Sequence, residues 1–278
     1  MVASGFMSAL PPDPEKARSV RRVVDAHDSA RPPYPDKAVA WMVAQNGARV
    51  LELGAGTGKL TEQLAGLGHT VTATDPSEAM LRRIRARAPQ ARAVIGAAEH
   101  IPLASGSVDV VVATEAFHGF DHQRALPEVA RVLRPGGVLA VAWNSRDERI
   151  PWVKRLGAII GEGAHQSDPT RAIDDSGMFE TVEKSSFRIW QPMDQESLRN
   201  LVSSSSHVAV LSGVEREGVL GKVDELYDGY GRGADGMLLP YVTSTFRATV
   251  LPRSVWDPEQ EAVGPDDMDT DALLIDFN

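Results

Sequence analysis

The sequence predicts an α/β fold built on an open, doubly wound sheet of mostly parallel strands. Short apolar runs typical of buried strands alternate with amphipathic helical segments from about residue 49 to residue 143. Turn signals rich in Gly and Pro separate these segments. The chain has 278 residues, 42% of them hydrophobic, which is enough to bury a sizeable core. Strands that alternate with helices pair in parallel through right-handed crossovers, so ligands are expected beyond the carboxyl ends of the strands.

Residues 1–48 are predicted to form a helical arm ahead of the sheet. A mixed Arg and Val pattern indicates one helix at 15–24, and the Pro-rich stretch 31–35 interrupts it. Asp36 is predicted to cap a second helix that runs to Val43.

The first half of the sheet follows directly after the arm. Strands are predicted at 49–53, 70–74 and 93–95 from their apolar and β-branched residues. Each of the two helices between them has one apolar face, and the residues of these faces are Leu60, Leu64 and Leu67, then Met80, Leu81 and Ile84. Ser77 is the predicted cap of the second helix, whose polar face carries several Arg residues.

The second half of the sheet begins with the most apolar stretch of the chain, at 108–114. A helix follows, with a predicted apolar face made of Leu126, Val129, Ala130 and Leu133. The Arg-Pro-Gly-Gly segment at 134–137 ends that helix. The remaining predicted elements are strands at 138–143, 180–190 and 238–251 and helices at 193–202 and 214–227.

Composition excludes several classes of protein. The chain has no Cys, which rules out disulfide scaffolds, thiolate nucleophiles and Cys-ligated metals. Its formal charge is −9. The segment 254–278 contains eight Asp and Glu residues and no Lys or Arg, so residues 1–253 contain 30 acidic and 29 basic residues and are nearly neutral. No basic patch indicates a nucleic-acid partner, and no apolar run is long enough to span a membrane. The start of the chain does not read as a secretory signal, so we expect a cytoplasmic protein.

A glycine-rich loop follows the first predicted strand and precedes a helix. Gly54, Gly56 and Gly58 let the backbone turn tightly and approach a ligand, and the helix start favours an anionic or highly polar group. A Walker phosphate loop does not fit, because Leu60 stands where Ser or Thr is required. A dinucleotide fingerprint fits poorly, because Lys59 replaces its third glycine.

The remaining pattern, an acid at Glu52 followed by the three alternating glycines, resembles motif I of the class I S-adenosylmethionine-dependent methyltransferases. Asp75 closes the second predicted strand, where that family has an acid for the ribose hydroxyls. Segments 96–102, 108–118 and 132–137 resemble the later motifs of the family. The narrower resemblance is to the subgroup of trans-aconitate and quinone-pathway methyltransferases, and it rests on segments 31–35, 117–121, 143–147, 151–152 and 239–241.

The chain departs from this narrower pattern in three places. Ala97 stands where the family often has an acid, His27 where the arm commonly has Tyr, and Gly119 where Trp usually follows His. The last two departures indicate a reshaped substrate pocket.

The resemblance implies a set of site residues. Those expected to bind the cofactor S-adenosylmethionine are Glu52, Gly54, Gly56, Gly58, Asp75, Ala98, Glu99 and Thr114. His118 is the candidate base, because its side chain takes up a proton near neutral pH. The candidate substrate residues are Arg31, Tyr34, Phe117 and Trp143, and no metal is expected.

The implied fold is a Rossmann-like, seven-stranded, mostly parallel sheet with an antiparallel last strand and a helical cap. The expected division is a methyltransferase domain at 1–252, made of the arm at 1–48, a cofactor-binding core at 49–145, a cap at 146–236 and the last strand at 237–252. An acidic tail follows at 253–278 and is expected to be a mobile, solvating extension, with docking on a neighbouring subunit of a homodimer as the alternative.

The implied function is methyl transfer to a small molecule, with oxygen favoured and nitrogen or carbon acceptors left open. Two alternatives remain at this point: a non-catalytic S-adenosylmethionine-binding protein and an NAD(P)-dependent oxidoreductase. An RNA methyltransferase is less favoured, because no basic patch is visible.

Overall fold

A computed structural model of the protein describes residues 31–161, 167–230 and 236–256. The predicted helix at 15–24, His27 and the acidic segment 257–278 lie outside the described residues. The strands in chain order are β1 (Arg49–Leu53), β2 (Thr70–Asp75), β3 (Arg92–Ile95), β4 (Val108–Thr114), β5 (Leu133–Arg146), β6 (Glu183–Met193) and β7 (Met237–Thr249).

These strands form one seven-stranded sheet in the order β3-β2-β1-β4-β5-β7-β6. The pairs of β1 with β2 and β4, of β2 with β3 and of β4 with β5 are all parallel. The last strands pair antiparallel, so the predicted fold class is confirmed. The order reverses between β1 and β4, which makes the carboxyl ends of these two strands the expected ligand position.

Helices cover the sheet because its central strands are apolar on both faces. Six of the seven β4 residues are buried, as are four of the five in β1. The helices in chain order are α1 (Asp36–Met42), α2 (Lys59–Gly66), α3 (Glu78–Arg87), α4 (His122–Val132), α5 (Pro151–Ile160), α6 (Thr170–Asp175), α7 (Gln195–Ser203), α8 (Ser206–Ala209), α9 (Gly213–Tyr230) and α10 (Arg253–Trp256).

Three local predictions are wrong at helix ends. Asp36 lies inside the first turn of α1, and Pro35 occupies the cap position. Leu67 is 48% exposed, because α2 ends at Gly66 and the chain turns at the following Gly68 with φ +86°. Leu133 is buried but extended, with φ −69° and ψ 136°, and it pairs with Val108 as the start of β5 instead of extending α4.

The described residues divide into two compact units. The sheet unit contains 34–145, 167–188 and 242–256, and the helical unit contains 31–33, 146–161, 189–230 and 236–241. The helical unit has its own core, to which α5, α7 and α9 contribute Leu156, Leu198 and Val223. Within this unit Arg199 of α7 forms ion pairs with Glu217 and Asp224 of α9.

An ionic cluster ties β1, β4 and β5 together within the sheet unit, near the amino ends of β1 and β4. The buried Asp109 carboxylate accepts hydrogen bonds from the backbone N–H of Arg49 (2.7 Å) and from its guanidinium (2.9 Å). Arg134 lies 3.0 Å from the same carboxylate. The hydrogen bond from Arg49 is the main cause of the lowered pKa of Asp109, so this carboxylate stays charged.

No helix in the described ranges is long and apolar enough to cross a membrane.

The two faces of α2 provide a test of the fold. Leu64 of α2 is fully buried, and Leu67, directly after the end of α2, is half exposed. We expect Leu64→Ala to lower the free energy of unfolding by about 2–5 kcal/mol, because it leaves a cavity in the core. Leu67→Ala should change it by less than about 0.5 kcal/mol. Urea unfolding followed by circular dichroism measures both, and equal losses would contradict the orientation of α2.

Candidate functional site

The glycine loop between β1 and α2 fits closely against the end of β4. Gly54 has φ +66°, and a Cβ atom placed there would lie 2.6 Å from Ala116 Cβ. Gly58 begins α2 with φ +81°, and its Cβ would lie 3.0 Å from Ile84 Cγ1. Side chains at either position would collide with neighbours, so the loop backbone lies bare at the carboxyl edge of the sheet.

Asp75, at the end of β2, holds the glycine loop in place. One of its carboxylate oxygens accepts the N–H of Gly56 at 3.0 Å, and the other accepts the N–H of Ser77 at 2.8 Å. The N–H of Ala55 donates a hydrogen bond to the carbonyl of Thr74 at 3.0 Å. A carboxylate has about four lone-pair positions, so Asp75 can hold this loop and still accept further hydroxyl donors.

Glu52 lies in β1, two residues before Gly54, and its carboxyl group is inside the protein. The side chain is buried, and the Thr61 hydroxyl of α2 donates a hydrogen bond to it at 2.5 Å. Burial raises the pKa of Glu52 from 4.5 to about 8; the Thr61 hydrogen bond opposes the rise, and the negative charge of Asp75 adds to it. A cationic ligand group near Glu52 would favour its ionised form.

The loop after β3 carries the two residues expected at the adenine. Ala98 is buried and Glu99 is partly exposed. Glu99 Oε1 accepts the backbone N–H of Asp121 at 2.9 Å, directly before α4. One oxygen of Glu99 therefore fastens the loop to α4, and the buried backbone at Ala98 is the other predicted contact.

Glu115, directly after β4, is a candidate site residue that the sequence analysis did not single out. Across the described ranges it is the one non-glycine residue with positive φ, at 59°. Its Oε1 accepts the N–H of Asn144 at 2.9 Å and the hydroxyl of Tyr34 at 3.4 Å. Strained backbone of this kind clusters at functional sites. The available signal was an acid inside the motif-like segment 108–118, but spacing alone does not reveal its conformation.

The polar network continues from Glu115 into the last strand. Asn144 Oδ1 accepts the hydroxyl of Thr243 in β7 at 2.5 Å. The carbonyl of Tyr34 accepts a hydrogen bond from Gln63 of α2 at 2.8 Å. Tyr34 is therefore held both by the helix that follows the glycine loop and by the end of β4.

The other predicted substrate residues lie in different environments. Phe117 is buried and stacks on His122 with ring centroids 4.5 Å apart. Trp143 is buried and stacks on Phe246 at 4.9 Å, so both aromatic rings belong to the core of the sheet unit. Arg31 is exposed and belongs to the helical unit. The structure thus brings Tyr34 to the carboxyl edge, and the substrate roles of this set stay predictions.

His118 is exposed on a short 3-10 turn, Phe117–Gly119, and Thr114 is partly exposed at the end of β4. The ring of His122 is bonded to the carbonyl of Phe117 at 2.9 Å instead of facing His118. Within the part of the chain that the structure describes, no group of three His, Asp or Glu side chains could hold a metal ion.

Comparisons with known proteins identify relatives of this chain. Residues 51–141 match the family model of a methyltransferase domain. An uncharacterised methyltransferase of Mycobacterium tuberculosis strain H37Rv is 42% identical over 230 residues, which are 82% of this chain and 93% of that protein. The malonyl-[acyl-carrier protein] O-methyltransferase of Methylococcus capsulatus is 44% identical over 99 residues, 34% of this chain and 36% of that protein.

A solved structure has a similar fold over most of its length. It is assigned as a type II methyltransferase from Anaeromyxobacter dehalogenans, and it matches with a TM-score of 0.60 and 25% identity. The match covers 79% of this chain and 97% of that chain.

Two glycines of the loop allow a matched test of the close approach. Gly54→Ala should lower the free energy of unfolding by well over 1 kcal/mol, because it adds a collision with Ala116 to the strain of positive φ. At Gly56, φ is +56° and nothing lies within 4 Å of an added Cβ, so Gly56→Ala should cost about 1 kcal/mol from strain alone. Urea unfolding of the two variants measures the difference, and similar losses would show that the contact is absent.

The buried Glu52 predicts how stability depends on pH. Between pH 4.5 and about 8 the folded chain keeps the Glu52 proton, whereas the unfolded chain has lost it. This group therefore makes the free energy of unfolding fall as pH rises, by up to about 1.4 kcal/mol per pH unit for one proton, and the loss ends above pH 8. In Glu52→Gln this loss of stability is absent. The free energy of unfolding of the variant should therefore rise relative to that of the wild type between pH 5 and pH 8.

The control is Glu62→Gln, at an exposed acid of α2, the helix whose Thr61 donates the hydrogen bond to Glu52. Urea unfolding at pH 5, 6.5 and 8 should show that the free energy of unfolding of this control falls with pH as it does in the wild type. A wild type and a Glu52→Gln variant with parallel pH profiles would contradict the raised pKa of Glu52.

Proposed function

Because the chain belongs to the class I S-adenosylmethionine-dependent methyltransferases and its cofactor is S-adenosylmethionine, we propose that it methylates a small molecule, at an oxygen, by in-line transfer. The observation that carries the proposal is the bare glycine loop, held by Asp75 and fitted against the end of β4. The position is the point where the strand order reverses, which is where open parallel sheets bind ligands.

The residues at this edge fit S-adenosylmethionine in their chemistry. The loop backbone is open at Gly56, where nothing lies within 4 Å of an added Cβ, while Gly54 and Gly58 are packed against protein neighbours. Asp75 retains acceptor capacity for two ribose hydroxyls. Glu52 can accept a hydrogen bond from an ammonium group, and its ionised form gains from a cation nearby. We propose that Gly56, Ala98, Glu99 and Thr114 complete the cofactor site, as the family resemblance implies.

Methyl transfer requires little covalent chemistry from the protein. When bound, the cofactor supplies an activated methyl group on a sulfonium. The chain's own residues then align the acceptor, exclude water and hold the two reactants in line, and alignment of this kind can contribute several kcal/mol. A base is needed only where the acceptor has a proton to lose. His118, exposed beyond the end of β4, is the residue we propose for that role.

Oxygen is the proposed acceptor atom, and relatives that match part of the chain support this proposal. The Methylococcus capsulatus relative is named an O-methyltransferase, and it matches over about a third of each chain. Arg31, Tyr34, Phe117 and Trp143 are the residues that we propose for acceptor binding, and the narrower likeness to trans-aconitate and quinone-pathway enzymes belongs to the same proposal. The cap at 146–236, the cytoplasmic location, the homodimer and the absence of a nucleic-acid partner remain predictions from the sequence.

Calorimetric titration tests the proposal directly. The wild type should bind S-adenosylmethionine and S-adenosylhomocysteine, and Asp75→Ala should weaken both by at least tenfold, about 1.4 kcal/mol, because it loses the ribose acceptor and the anchor of the loop. Glu78→Ala, at an exposed acid that begins the following helix, is the matched control and should bind as the wild type does.

A wild type that binds neither compound would disprove the cofactor assignment. If the wild type binds S-adenosylmethionine, transfer of a labelled methyl group from it into the small-molecule fraction of a cell extract should identify the acceptor. Label that appears only in macromolecules would contradict the proposed substrate class.

A further inference from the structure

A pair of charged side chains on α4 grips the backbone of the loop that follows β3. Glu128 Oε2 accepts the N–H of Ile101 at 2.8 Å. Arg131 donates to the carbonyl of Ile101 at 2.9 Å and to the carbonyl of Leu103 at 2.8 Å. These three bonds replace the strand partners that the loop backbone lacks, and we name Glu128 and Arg131 the α4 clamp.

The α4 clamp is itself a fixed unit. Arg131 Nε lies 2.6 Å from Glu128 Oε1, and Arg131 Nη2 lies 2.8 Å from Glu128 Oε2. The pair is partly buried, with 29% and 24% of the two side chains exposed. The hydrogen bond from Arg131 is the main cause of the lowered pKa of Glu128, so the carboxylate stays charged. A planar guanidinium can bond a carboxylate twice and still reach two carbonyls, which Lys cannot do.

The same loop is fastened at two further points. Glu99 Oε1 accepts the N–H of Asp121 before α4. At the loop's start, a Cβ atom on Gly96 would lie 2.9 Å from Pro102 Cδ, so the two arms of the loop are packed together. Ala98 and Glu99 therefore lie in a loop that is packed against itself at Gly96 and held to α4 from Glu99 onward.

The helix that carries the clamp is anchored in the core. Leu126, Val129 and Ala130 of α4 are buried in the cluster that also contains β4 and β5 residues. The loop is therefore held by a helix that packs on the sheet. The glycine loop and Asp75 belong to the same sheet.

Resting on the proposed function, we propose that Glu128 and Arg131 are positioning residues that hold the backbone at Ala98 and Glu99 in the shape that receives the adenine ring. Neither residue needs to touch the cofactor. A loop that is already ordered pays no ordering entropy when the adenine binds, whereas a loosened loop does. The clamp therefore sets affinity for the adenosine part of the ligand.

The test uses two ligands that share adenosine, S-adenosylhomocysteine and 5′-methylthioadenosine. In calorimetric titrations Arg131→Gln should raise the Kd of both by at least tenfold and by similar factors, because only the shared part is affected. Arg131→Lys should not restore affinity, since it lacks the planar fork. Glu128→Gln keeps an acceptor for Ile101 but loses the ion pair, and we expect an intermediate loss of about threefold to tenfold.

The matched control is Arg171→Gln, at an arginine that is 92% exposed and pairs with Asp175 on α6. It should bind both ligands within twofold of the wild type. Hydrogen–deuterium exchange supplies a readout that a purely structural role would not change: S-adenosylhomocysteine should protect amides 98–101 in the wild type and in the control, and should protect them less in folded Arg131→Gln.

The outcomes separate the two proposals. A wild type that binds neither ligand overturns the proposed function. The clamp proposal is overturned if the wild type binds both ligands and the folded Arg131→Lys and Glu128→Gln variants bind them with Kd values within twofold of the wild-type values. If Arg131→Gln fails to fold, Arg131→Lys and Glu128→Gln decide the question, because each retains part of the clamp.

Discussion

The hydrogen bonds that Asp75 accepts from Gly56 and Ser77 organise the candidate site. They join the end of β2 to the loop after β1 and to the segment that begins α3, so three pieces of chain share one carboxylate. The loop can then press against the end of β4, where Gly54 leaves no room for a Cβ beside Ala116. A carboxylate suits this position, because it satisfies two backbone donors and still keeps lone pairs for a ligand.

The edge of the sheet is built at a cost in stability. Burial raises the pKa of Glu52 to about 8, the like charge of Asp75 adds to the rise, and the hydrogen bond from Thr61 only partly opposes it. Glu115 adopts a positive φ that L residues avoid. Both unfavourable arrangements lie at the carboxyl ends of β1 and β4, where the strand order reverses. Natural proteins keep such strain mainly where function requires it.

The strands and the glycine loop were predictable because their signals are local. Apolar composition identifies β4 within its observed bounds, and three alternating glycines identify a turn that must approach a neighbour. Helix ends were less predictable. Leu67 fits the apolar period of α2, but the helix ends one residue earlier and the side chain is exposed. Leu133 fits the period of α4, yet its pairing with Val108 makes it the start of β5. In both cases a contact or turn outside the pattern determines the outcome.

By itself the sequence determined the α/β class, the acid-and-glycine loop, Asp75 and the methyltransferase resemblance, because each depends on residue type and short spacing. Only the tertiary structure revealed what the side chains do once strands meet. Asp75 holds the loop, Glu99 is bonded to the start of α4, Phe117 and Trp143 stack in the core, and Glu128 with Arg131 grips the loop after β3. These partners lie far apart in the chain, as Trp143 and Phe246 show. Such contacts depend on sheet order and helix placement, which no local pattern encodes.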